Sequence, residues 1–176
     1  MLVAIQHSAL SRFLYDLFDN EKNKVGTVCW PDFAEATNAR LKNPLPGILK
    51  TNIEIRWLDQ LYEIKFEYLT RDWFNDIKFM LLYKETVIAS ADVISSKKFL
   101  TRPTITITHP FVGQVIRRSG LFTVRYGVMN EGKHIGTVAE KGGLTIKREL
   151  FINLPDSISP PVQIFIFFLV NNQAYR

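Results

Sequence analysis

Ser159-Pro160-Pro161-Val162-Gln163-Ile164-Phe165-Ile166-Phe167-Phe168-Leu169-Val170 decides how the rest of the chain is read. A serine followed by two prolines suits a helix start. The hydroxyl can accept a bond from an early backbone N–H, and proline in the first turn gives up an N–H that has no helical partner. The run that follows is apolar on every side of the axis, so a helix here must be enclosed. Its β-branched and aromatic residues also suit a strand. The Ser-Pro-Pro start and the tolerant exit through Asn171-Asn172-Gln173-Ala174-Tyr175 favour a helix from Pro160 to about Tyr175. The apolar stretch falls well short of the roughly 20 residues that span a bilayer.

Upstream of this stretch, period-two alternation dominates. Phe122, Val124, Tyr126 and Val128 share one face, with Thr123, Arg125 and Gly127 opposite. Segments 52–57, 62–68 and 104–108 alternate in the same way. Further strand-like runs lie near 12–18, 24–30, 77–83, 86–94, 112–118, 133–139 and 144–152. About eleven short strands at this spacing predict a meandering antiparallel sheet. Pro44, Pro46-Gly47, Pro103, Pro110, Gly120 and Gly142-Gly143 punctuate it. No Pro/Gly/Ser-rich linker interrupts the 176 residues, so 1–176 reads as a single domain.

Two segments match each other. Asn20-Glu21-Lys22-Asn23-Lys24-Val25-Gly26-Thr27-Val28 aligns with Asn130-Glu131-Gly132-Lys133-His134-Ile135-Gly136-Thr137-Val138, each a polar turn entering a strand. Both read as hairpins whose turns use Asn and Gly for unusual backbone angles. The match predicts a two-fold internal repeat. At a uniform offset, however, Asp16 falls against Tyr126.

The charge is uneven. Net charge is +5, but segment 97–148 holds ten basic residues (Lys97, Lys98, Arg102, Arg117, Arg118, Arg125, Lys133, Lys141, Lys147 and Arg148) against only Glu131 and Glu140. Such an excess suits a polyanionic partner: phospholipid headgroups, nucleic acid or an acidic protein. Side chains spread over several strand faces would leave no patch at all. Nucleic acid is the weaker fit. Single-strand binders interleave stacking aromatics with cations, whereas Trp30, Trp57 and Trp73 lie in the acidic first half.

Catalytic signals are sparse. The lone Cys29 excludes an internal disulfide framework and a cysteine-rich zinc site, and it reads as a buried thiol. His7, His109 and His134 are scattered and read as surface histidines. Asp16, Asp19 and Glu21, and likewise Asp72 and Asp76, could pair for acid–base chemistry but are expected near turns. Gly142-Gly143 opens no phosphate-cradling helix, and there is neither a nucleophile elbow nor an HExxH. The expectation is a non-enzyme with no cofactor and no metal. The apolar run at Leu2–Ile5 is too short for a signal-peptide core, so a cytoplasmic, non-spanning protein is expected.

Residues 126–138, the segment Arg148-Glu149-Leu150-Phe151-Ile152-Asn153-Leu154-Pro155 and the apolar run 162–170 together resemble the tubby C-terminal-like superfamily. That group includes the LURP-one-related proteins, their small bacterial relatives and the phospholipid scramblases. The resemblance is best over 112–176 and weaker over 12–41. It implies a closed antiparallel β-barrel of about twelve strands threaded by the C-terminal helix. A ring has no edges, and a lumen that wide must be filled. It also implies a lipid-associated or scaffold role peripheral to a membrane. The scramblases' cysteine-rich stretch is missing and no calcium-loop pattern occurs, which argues against scrambling. The expected function is thus a binding or scaffold module contacting anionic phospholipid headgroups or an acidic protein partner through segment 97–148. Lys97, Lys98, Arg117 and Arg118 are the candidate contacts, as adjacent basic pairs near strand ends. The alternative is a small-ligand carrier or enzyme with a barrel-mouth pocket, which requires an unfilled lumen.

Overall fold

A computed structural model describes residues 1–8, 13–31, 48–70, 76–95, 103–119, 124–142 and 147–174. Among the described residues twelve strands occur in chain order: β1 (Leu2–Gln6), β2 (Leu14–Phe18), β3 (Lys24–Cys29), β4 (Ile48–Trp57), β5 (Gln60–Tyr68), β6 (Ile77–Tyr83), β7 (Thr86–Ile94), β8 (Thr104–His109), β9 (Gly113–Ser119), β10 (Val124–Asn130), β11 (Lys133–Glu140) and β12 (Glu149–Asn153). Each pairs antiparallel with the next. β12 then returns to β1, with Leu2 opposite Ile152 and Ala4 opposite Leu150, so the sheet closes into a barrel. β1 was not expected as a strand because Leu2-Val3-Ala4-Ile5 is apolar throughout and shows no alternation. Its burial nevertheless alternates, since Val3 and Ile5 are only half covered by their neighbours on the outer face.

The helix α1 (Pro160–Ala174) runs inside the ring. Residues 161–172 are all buried, including Asn171 and Asn172, which no amphipathic surface helix could show. A helix is about 10 Å across, the right girth for a lumen that side chains alone could not fill. Phe168 stacks against Phe13, Trp30 and Phe79 at centroid distances of 5.3, 6.0 and 5.7 Å, and Phe167 meets Tyr15 at 5.2 Å. At the helix start, the N–H groups of Val162 and Gln163 both donate to the carbonyl oxygen of Ser159. The serine thus caps through its backbone. Buried Gln163 is satisfied by donating to the carbonyls of Ile158 (2.8 Å) and Pro155 (3.3 Å).

The other end of the helix is tied by polar contacts. Arg148 Nη1 donates to Asn171 Oδ1 (2.9 Å), as does Tyr15 Oη (3.3 Å), and Arg148 Nε donates to Glu140 Oε1 (2.9 Å). This links β2, β11 and the approach to β12 to the last turns of the helix.

Outward faces carry Glu54, Arg56, Glu63, Lys65, Lys78 and Arg125, charges where a lipid-facing barrel would carry an apolar band. Among the described residues no helix is long and apolar enough to cross a membrane.

Three hairpins are built alike. In β2–β3, Tyr15 faces Val28 and Leu17 faces Gly26; the pairing then slips so that Phe18 faces Lys24 and Val25 is extra. In β6–β7 the same steps are Phe79–Ala91, Leu81–Ala89 and Leu82–Val87, with Ile88 extra. In β10–β11 they are Tyr126–Val138, Val128–Gly136 and Met129–His134, with Ile135 extra. Val25, Ile88 and Ile135 all pack against the core, so the bulge adds one apolar contact each time. These hairpins stand four strands apart on the ring, which divides it into β1–β4, β5–β8 and β9–β12. The matched segments therefore lie in two of three similarly built hairpins, and the bulged hairpin recurs by thirds around the ring. The turn 19–23 is one residue longer than its counterpart, so Asp16 stands structurally at the place of Gly127 and Tyr15 at the place of Tyr126.

Candidate anion-binding face

On β9, Val115 points inward while Gln114, Ile116 and Arg118 are exposed. Period two thus sends Arg117 and Arg118 to opposite faces. Arg117 is half-buried on the inner side, and its Nε is buried without a hydrogen-bond partner among the described residues. Arg118 is exposed and lies directly opposite exposed Arg125 of β10. The sequence pair therefore does not form one contact. Its outer member joins a residue seven positions later, across the hairpin. Lys97 and Lys98 lie outside the described residues, as does Trp73.

Among the described residues, Lys133, Lys141 and Arg148 do not join Arg118 and Arg125 in one patch. Lys141 Nζ pairs with Glu149 at 2.8 Å and Arg148 with Glu140 at 2.9 Å, while Lys133 opens β11 at the opposite end of the β10–β11 hairpin, facing Asn130. The side chains of Arg118 and Arg125 have no ion pair or hydrogen bond among the described residues. Like charges facing across a strand pair repel, so this pair holds electrostatic potential that an anion would relieve. Exposed Ile116, at 45%, precedes Arg118 on the same face and faces Gly127. Arg125 and His134 were not singled out from the sequence. The pairing of Ser119 with Val124 is what sets 118 opposite 125.

Asp16 was expected near a turn but lies within β2, on the outer face. His7 Nδ1 is 2.8 Å from its Oδ2 and Lys24 Nζ is 2.6 Å from its Oδ1. Partial burial works to raise this carboxyl, but the bonds and charges of Lys24 and His7 outweigh it and hold the group below the ordinary value of 3.8. A carboxyl depressed by folding contributes stability above its unfolded pKa and loses it as pH falls through the lower folded value. Asp16→Asn is therefore expected to lower stability at pH 7 by up to about 1 kcal/mol, with both partners exposed. The difference from wild type should shrink in urea titrations repeated below pH 3.8; a difference that grows there contradicts the assignment.

His7, His109 and His134 are exposed and Cys29 is half-buried. Among the described residues no group of His, Cys, Asp or Glu could hold a metal ion. A recess of about 550 Å³ lies where the helix enters the ring, walled by Ile88, Phe111, Ile135, Ile158 and Val162. No protein-family model, curated protein or solved structure matches the chain.

Proposed function

We propose that the protein is a non-enzymatic binding module that turns the outer face of β9–β10 toward anionic phospholipid headgroups. The carrying observation is that exposed Arg118 and Arg125 face each other with no carboxylate paired to either among the described residues. Exposed Ile116 beside them supplies the apolar contact that interfacial binding uses. The proposal rests on this outer pair and not on Lys97, Lys98 or Arg117. The enclosed helix supports a binding role over a lumenal carrier, because it occupies the space that a carried ligand would need.

Each Arg near an anionic surface contributes about 1 kcal/mol, weakening as salt shortens the Debye length. Sedimentation with vesicles containing phosphatidylserine should show binding that weakens between low and physiological salt. The Arg118→Glu, Arg125→Glu double substitution should lose most of it. Wild-type protein that stays in the supernatant at low salt rejects the reading and leaves an acidic protein as the partner to seek.

A further inference from the structure

The first and third units of the barrel can be compared residue by residue. In the first, His7 and Lys24 clamp the carboxylate of Asp16 from either side. The register places Arg118 where His7 stands, Gly127 where Asp16 stands and His134 where Lys24 stands. The slip after Val128 is what brings His134, instead of Ile135, to face Met129. The third unit thus keeps two basic heads and lacks the carboxylate between them.

The geometry over Gly127 agrees. A Cβ built there would lie 3.2 Å from Arg118 Nε and 3.2 and 3.4 Å from His134 Cδ2 and Nε2. Both heads therefore lean over the same bare backbone. Arg125 faces Arg118 and adds a second guanidinium, where the first unit has uncharged Leu14. None of the three has a hydrogen bond or ion pair among the described residues.

We infer that Arg118, Arg125 and His134 form a site over Gly127 for a phosphate monoester, which takes the place that Asp16 fills in the first unit. The class follows from charge and oxygen count. One carboxylate balances Lys24 beside His7, but two permanent guanidiniums call for a dianion, and a monoester carries about −1.5 to −2 at neutral pH. A monoester also offers three terminal oxygens for donors from three strands, against two for a diester or a carboxylate. The inference rests on the proposed function for the orientation of this face and adds the ligand class.

The test uses the full chain. Inorganic phosphate should shift the amide resonances of residues 118, 125, 127 and 134 saturably, with acetate binding about tenfold or more weaker. Arg118→Gln should weaken phosphate by about tenfold. Gly127→Asp should rebuild the arrangement of the first unit: it should keep wild-type thermal stability at neutral pH and abolish phosphate binding. Absence of saturable phosphate binding to wild type, or Gly127→Asp binding phosphate as wild type does, overturns the site. Vesicles with phosphatidic acid and with phosphatidylserine, at equal surface charge, identify the source. A phosphatidic acid preference that Gly127→Asp removes supports a lipid monoester. Free phosphate bound with neither vesicle bound keeps the site and sinks the membrane reading. Phosphatidylserine bound without free phosphate does the reverse.

Discussion

Phe168→Ala is expected to cost about 3–5 kcal/mol, among the largest effects of any single change in this chain. The ring is fully buried and packs on Phe13 just before β2, Trp30 just after β3 and Phe79 of β6, so truncation leaves a void bounded by these three side chains and the helix itself. Those walls cannot easily close in, because Phe79 is paired on both sides within the ring and the Trp30 N–H is tied to the Phe13 carbonyl. Phe168→Leu keeps most of the volume and should cost clearly less. Trp30, 6.0 Å from Phe168, gives the readout: urea unfolding followed by its fluorescence should show the midpoint falling with an unchanged slope. A loss below about 1 kcal/mol would mean that the ring is not in the lumen and that the enclosed helix is wrong.

A second large effect comes from adding a single methyl group. A Cβ on Gly26 would lie 2.1 Å from the carbonyl oxygen of Arg56, and one on Gly136 would lie 2.3 Å from that of Asn153. Both obstacles are backbone of the neighbouring strand, so neither can swing away. Gly26→Ala and Gly136→Ala should each cost about 3 kcal/mol, the upper part of the range for overpacking. Gly127→Ala is the internal control. Its nearest neighbours are the heads of Arg118 and His134, which can rotate, and its loss should stay within about 0.5 kcal/mol. Thermal unfolding of the three variants side by side decides the matter. Equal effects at all three positions would contradict the described strand spacing.

Much of this architecture was legible in the residues. Alternation at 52–57, 62–68 and 104–108 marked strands that the structure contains, and the Ser-Pro-Pro start followed by an all-round apolar run marked a helix that needed enclosure. β1 was illegible because both of its faces are apolar, one turned to the lumen and the other covered by Phe18 and Phe151 across the pairs. The unit by thirds was hidden by the one-residue difference in turn length, which set Asp16 against the wrong partner. The middle unit hid it further, since it keeps the bulge but has Leu82, Val87 and Ala89 in place of the matched residues. The candidate site was half legible. Charge counting pointed to the segment that carries the proposed face, yet adjacency in sequence is the wrong criterion on a strand. It paired Arg118 with Arg117, which points into the barrel, and passed over Arg125 and His134, which register and a bulge bring to the same side. Cations of opposite fate, such as Arg148 held by Glu140 and Arg118 held by nothing described, look identical in a count.

The seam between β1 and β12 bears on how the chain assembles. The first rung to be synthesised has to wait for the last, and its open edge stays available for mispairing throughout that wait. The filler is translated after both, so shutting the ring and seating its plug must happen as one late event. Nascent chains released before residue 160 should accordingly collect as open, sticky sheets.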